Sequence, residues 1–224
     1  MELSKISETY SLNRSTYINL RWIGIIGQLI TINSVKFILG FDFDFITANL
    51  IIFLGGISNI FLIYYYNKIQ LSNRSSLNFL LIDIIQLSVL LYLTGGVVNP
   101  FSIFLLIPSV FASSNLKIKT NLFLIFATLV SIIFLTFYSN SLPGPLNKII
   151  VNNYYYYSIP IALIIALLFL NYFALIFGQE SNLRKEALNK IQELISKEHE
   201  LVSLGTQAAA AAHSLGTPLS TIKI

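Results

Sequence analysis

Apolar residues in this chain gather into six long runs, at about 18–39, 46–66, 77–94, 100–116, 121–139 and 159–178, separated by short polar stretches. Each run approaches the ~20 residues that an α-helix needs to cross a bilayer. Within them there is almost no amphipathic alternation of the kind that turns one face toward a soluble core. The pattern predicts an all-α fold: a six-helix transmembrane bundle. The fourth run is the weakest, being short and carrying Pro108 and several serines. A proline is tolerated there if neighbouring helices or Ser side chains satisfy the freed carbonyl.

After Gly178 the pattern changes. Residues 180–207 mix Lys, Arg and Glu with apolar positions at Ala187, Ile191, Leu194 and Leu201, and a parallel set at Leu188, Ile195 and Val202. These are helical spacings with a heptad tendency, which predicts a solvated helix continuing the sixth span into a two-stranded dimer. The expected organisation is 1–178 as the membrane domain, 179–206 as a cytoplasmic signalling helix, and 207–224 as the start of a further, incomplete domain.

Composition agrees with the bilayer as solvent. The 224 residues are 55% hydrophobic and 11% charged, where a soluble domain carries about 25% charge. The first seventeen residues mix Glu2, Lys5, Glu8 and Arg14 and contain no short apolar core before a cleavage site, so the first span is expected to stay in the protein. Cysteine is absent, which excludes thiolate chemistry and disulfides within these residues. Both histidines, His199 and His213, lie in the polar tail, so no membrane histidine is present to hold haem or copper. Nothing resembles a nucleic-acid-binding cluster. His199, between Glu198 and Glu200, reads as a solvated helix residue.

Charge placement predicts orientation. Lys5, Arg14, Arg21, Lys68, Arg74, Lys117, Lys119, Arg184, Lys185, Lys190, Lys197 and Lys223 fall on one side of the six-span scheme, and only Lys36 and Lys148 do not. That side should be the cytoplasm, with both termini in it. Residues 140–158 form the long outward loop, and Tyr154 to Tyr157 read as an aromatic belt just before the sixth span.

Two local patterns carry chemistry. Residues 207–222 place five alanines (208–212) before His213, letting two helices approach closely, and Pro218 five residues after it. Pro218 removes a helical hydrogen bond and should kink the helix beside the imidazole. A neutral imidazole with a pKa near ~6.5 is nucleophilic enough to take a phosphoryl group. The second pattern is Gly95-Gly96-Val97-Val98-Asn99-Pro100-Phe101. Two glycines and an Asn-Pro pair should end one helix and turn tightly into the next. Exposed N–H groups, the Asn99 amide and the Phe101 ring would then suit a flat ring with a polar edge. Asp83, with Gln86 on the same helix face, adds an ionisable group inside a span, which usually faces protein rather than lipid. Arg21, Gln28, Asn33 and Lys36 are its candidate partners.

His213-x-Leu215-x-Thr217-Pro218-Leu219 resembles the phospho-acceptor box of sensor histidine kinases. With Ala211-Ala212 and Gly216 it resembles the RegB-type redox-responsive kinases. The Gly95–Phe101 heptapeptide matches their Gly-Gly-x-x-Asn-Pro-Phe motif. The resemblance implies that His213 is autophosphorylated, that Thr217 serves dephosphorylation of the partner regulator, and that Gly95, Gly96, Asn99, Pro100 and Phe101, with Asp83, bind a sensed ubiquinone. It implies a homodimer in the bacterial inner membrane, lipid around it, a cognate response regulator, and ATP with Mg²⁺ brought by a catalytic domain lying outside this chain, which ends eleven residues after His213. Ser214 stands where the family usually has an acidic residue, so autophosphorylation is expected to be slower or to rely on another general base. The rival reading is a transporter or electron-carrier fragment with a dimerising tail. Residues 18–94 and 100–178 show no inverted repeat to favour a transporter. A sensor with an input other than quinone is a third.

Overall fold

A computed structural model describes residues 12–66, 68–144 and 151–221, and the side chains of these up to residue 212. Lys5, Pro145, Lys148 and Lys223 lie outside the described residues. The chain divides into two units, Met1–Gly178 and Gln179–Ile224.

The first unit is built from α1 (Arg14–Phe37), α2 (Phe45–Tyr65), α3 (Asn73–Leu93), two 3₁₀ stretches (Gly96–Val98 and Pro100–Leu106), α4 (Ile107–Asn115), α5 (Ile118–Phe137) and the start of α6 (Asn153–Thr221). One small departure from all-α is a two-residue antiparallel pairing, β1 (Leu12–Asn13) with β2 (Gln70–Leu71). Among the described residues, four helices are long and apolar enough to cross a membrane: α2, α3, α5 and α6. The 24-residue α1 is diluted by Arg21, Gln28 and Asn33, although Leu20, Ile23, Ile26, Leu29 and Ile30 on its other side are exposed.

The fourth apolar run departs most from expectation. Instead of one helix over 100–116, seven residues wind as 3₁₀ and nine as α. A 3₁₀ turn rises ~2.0 Å per residue against ~1.5 Å in an α-helix, so this 16-residue segment reaches about 27 Å. Pro108 sits at the first turn of α4, where its missing N–H costs no hydrogen bond.

Loops meet at two ends of the unit. At one, Arg14 N–H donates to the Ile69 carbonyl at 3.0 Å, the Asn73 amide donates to the Thr120 hydroxyl, and Asn73 Oδ1 accepts from Lys117 N–H at 3.3 Å. At the other, Asn140 N–H donates to the Tyr92 carbonyl at 2.9 Å and Asp42 N–H to that of Gly144 at 3.4 Å. Arg21, expected near the start of the first span, lies two turns inside α1.

Helix α6 starts earlier than expected, so Tyr154 to Tyr157 belong to its first turns rather than preceding it. Asn152 explains the start: its Oδ1 accepts from Tyr154 N–H at 3.0 Å and its carbonyl from Tyr155 N–H at 2.9 Å. Pro160, Leu163, Leu167, Asn171 and Gly178 form its buried stripe in the first unit. Helical backbone continues through Gly205 and Pro218 to Thr221.

Candidate functional site

Three polar residues of α1 lie seven positions apart, Arg14, Arg21 and Gln28, and each is bonded to another helix. Arg14 donates to the Ile63 carbonyl at the end of α2. Arg21, 6% exposed, donates from Nε to Asp83 Oδ1 at 2.9 Å and from Nη2 to Ser58 Oγ at 3.1 Å, and its Nη2 lies 2.8 Å from the same Asp83 oxygen in an ion pair. Tyr17 donates to the other Asp83 oxygen at 2.6 Å. The guanidinium lies 5.7 Å from the Tyr17 ring centre and 5.6 Å from that of Phe79. Gln86 donates to Gln28 at 3.1 Å. Asp83 and Gln86 thus share one face of α3 and both meet α1. Of the four candidate partners for Asp83, the structure selects Arg21: Asn33 instead donates to Asn49 at 3.2 Å, and Lys36 pairs with Asp42 at 3.2 Å.

This cluster satisfies charge that lipid would not. A lone ionisable side chain at mid-membrane costs about 3 kcal/mol on insertion scales. A paired one clamps α1, α2 and α3 in a single register. Nη1 of Arg21 is buried without a hydrogen-bond partner. Sequence reasoning did not find Tyr17 or Ser58, which become partners only when separate helix faces meet.

The Gly95–Phe101 turn lies at the other end of α3 from Asn73. Gly95 and Gly96 have φ of +113° and +62°, which L side chains rarely adopt. Contrary to the expectation of exposed glycine N–H groups, both are covered. A Cβ on Gly95 would stand 2.5 Å from Leu142 Cδ1, and one on Gly96 2.7 Å from the Leu135 carbonyl oxygen. Asn99 closes the turn: its Nδ2 donates to the Thr94 carbonyl at 2.8 Å and the Thr94 hydroxyl at 2.9 Å, while its Oδ1 accepts from Phe101 N–H at 2.9 Å. The amide is therefore engaged in the turn itself. Pro100 and Phe101 are exposed, and the Phe101 ring lies 5.9 Å from that of Phe104. What the turn offers a flat ring is an aromatic and prolyl surface. Asp83 is twelve residues before Gly95, about 18 Å along the helix, and its hydrogen bonds are to Tyr17 and Arg21.

A third group was not foreseen. Ser109 and Ser113 on α4, Asn121 on α5 and Asn171 on α6 form a buried network. Ser113 donates to Asn171 Oδ1 at 2.6 Å and accepts from Asn121 Nδ2 at 2.8 Å. Asn171 Nδ2 donates to Ser109 at 3.3 Å and to the Leu167 carbonyl at 2.8 Å. Its traces in the sequence were the serines of the 100–116 run and an asparagine inside the apolar run 159–178.

His213 and Thr217 fall on α6 backbone beyond the described side chains, as do Ser214, Leu215 and Pro218. Among the described residues, no group of three His, Asp or Glu is placed to hold a metal.

The apolar helices, the internally paired polar groups and the long α6 define a helical membrane protein. Over 213 residues the chain is 32% identical to the sensor histidine kinase RegB of Cereibacter sphaeroides, an alignment covering 93% of this chain and 46% of that protein. A second RegB sequence, from a strain of the same species, is 41% identical over 64 residues, 29% of this chain and 14% of that protein. The chain is, over nearly its whole length, a relative of the RegB-type sensor histidine kinases. It spans about half the length of the first of these relatives. No protein-family profile matches it, and neither does any solved structure.

Proposed function

We propose that this chain is the input and phospho-acceptor portion of a membrane sensor histidine kinase that responds to redox state through ubiquinone. The observation that carries the reading is the RegB similarity. At 93% of the chain it exceeds the apolar unit, which ends at Gly178, and so reaches the helix that bears His213.

Six crossings are supported by the way the loops meet at two ends and by the ~27 Å reach of the 100–115 segment, close to the ~30 Å hydrocarbon thickness. Arg14, Lys68, Arg74, Lys117 and Lys119 gather at the end where the β1 and β2 strands pair, which makes that end cytoplasmic by the charge rule. Asp83 contributes by holding α1 to α3. The quinone ring lies against Pro100 and Phe101, on a turn whose shape Asn99 maintains, and its redox state biases the packing of the helices that follow. The exposed apolar residues Leu188, Ile191, Leu194, Ile195, Leu201 and Val202 pair with those of a second copy.

Phosphoryl transfer breaks the P–O bond of the β–γ phosphoanhydride of ATP, forms a P–N bond on His213 and releases ADP. ATP and Mg²⁺ belong to a catalytic domain outside this chain, and the phosphoryl group passes on to a response regulator. Thr217 serves the reverse, dephosphorylating function. In the full-length protein, acid-labile label from ATP should appear and should vanish in His213→Ala. Persistent label would place the acceptor elsewhere, and no label in the parent would overturn the kinase reading.

A further inference from the structure

Asn171 is the polar residue on the buried stripe of α6 in the first unit, 3% exposed, and it is bonded to both serines that α4 presents one turn apart. Seven residues on, Gly178 lets the two backbones close in: a Cβ there would lie 2.8 Å from Ser114 Cα. The register of α6 on α4 is thus set by hydrogen bonds and by a close backbone approach, not by interchangeable apolar contacts. Helix α4 in turn follows directly from the Pro100–Leu106 3₁₀ stretch, and Phe111 on it stacks on Tyr17, ring centres 6.2 Å apart.

One buried atom in this network is unused. Asn121 Oδ1 has no partner, although its own Nδ2 and Asn171 Oδ1 share Ser113. A buried acceptor without a donor is unfavourable. Asn171 is its neighbour through the shared Ser113, and the bond from Asn171 Nδ2 to Ser109, at 3.3 Å, is the longest of the group.

We infer that Asn171 is a two-position clasp: its Nδ2 is on Ser109 in the packing seen here and passes to Asn121 Oδ1 when α6 shifts against α4. Polar pairs that can be made in two discrete ways give a helix two registers rather than a continuum. The clasp is thus a switch of register for the helix that carries the acceptor box, and it acts without reference to which ligand drives it.

The test uses the chain in lipid nanodiscs, with Ala174→Cys as the sole thiol, and reads its maleimide labelling rate. Ser109→Ala weakens the observed position only and should change the rate about threefold, the bias a typical interhelical bond supplies in membranes. Ser109→Thr keeps the hydroxyl and should leave the rate unchanged. Adding Asn121→Leu to Ser109→Ala removes the second position and should return the rate toward that of the parent. The inference fails if Ser109→Ala leaves the rate unchanged, if Ser109→Thr changes it equally, or if the double variant moves no nearer the parent. Thermal unfolding in detergent checks that each variant is folded, and loss of folding only in Ser109→Ala would assign Ser109 a purely structural role and overturn the clasp. Neither ATP nor quinone enters the measurement, so failure here is separate from failure of the kinase reading.

Discussion

Arg21 on α1 and Asp83 on α3 meet inside the helical unit at 2.8 Å, sixty-two residues apart in the chain. With Tyr17 on the second carboxylate oxygen and Ser58 on the guanidinium, this pair fixes three helices to one another. Removing one member leaves its partner charged and buried, which typically costs about 3 kcal/mol, whereas replacing both with apolar residues of similar volume is often neutral. Arg21→Met and Asp83→Leu should each lower the melting temperature in detergent strongly, and the double variant should recover most of the loss. Additive losses would show that the pair contributes through packing and not through charge.

At the Gly95–Gly96 corner two physical demands coincide. The left-handed backbone costs an L residue roughly 1–2 kcal/mol, and a methyl on Gly96 also meets the carbonyl oxygen of Leu135, which cannot swing away. Gly96→Ala should therefore destabilise by about 2 kcal/mol or more, and more than Gly95→Ala, where the flexible Leu142 end is one of the near atoms. Thermal unfolding of the two variants side by side decides this, and an equal effect would mean that backbone strain alone matters.

Asn99 holds its turn through both ends of its amide, so Asn99→Asp and Asn99→Ala separate two roles. Asp keeps the acceptor for Phe101 N–H and loses the donor to Thr94; Ala loses both. In the completed protein, quinone control of phosphorylation should weaken in the first and disappear in the second, with Phe101→Ala also uncoupled. An unaltered quinone response in all three would remove this turn from sensing.

Asp44 caps α2 from outside the membrane-spanning segment. Hydrogen bonds from the Thr47 side chain and then its backbone N–H hold this carboxyl below the usual carboxylate range. A depressed pKa stabilises the folded state above the ordinary value and loses that contribution as pH falls through the folded value. Stability should thus decline slightly below about pH 4 on this account, and Asp44→Asn, which keeps an N-cap acceptor, should flatten that part of the profile. An unchanged profile would assign the acid sensitivity to other carboxylates.

How much of this was legible beforehand varies by element. The runs that became α2, α3 and α5 matched to within about four residues, because hydrocarbon length and backbone hydrogen bonding constrain any spanning segment in the same way. The 100–116 run did not: its 3₁₀ winding follows from Pro100 and the Asn99 cap. The onset of α6 moved to Asn153, ahead of the apolar run, because Asn152 supplies a cap that hydropathy cannot register.

The sequence by itself determined that this is a membrane protein, that Asp83 needs a partner, and that an abrupt change to polar composition precedes the alanine run and His213. These are matters of composition, spacing and local chemistry, readable one residue at a time. Only the tertiary structure decided that Arg21 is the partner and that Asn99 bonds to its own turn. It alone brought Ser109, Ser113, Asn121 and Asn171 together. Each of those depends on which faces of separate helices meet, and in an apolar bundle that choice is made by a few polar pairs far apart in the chain.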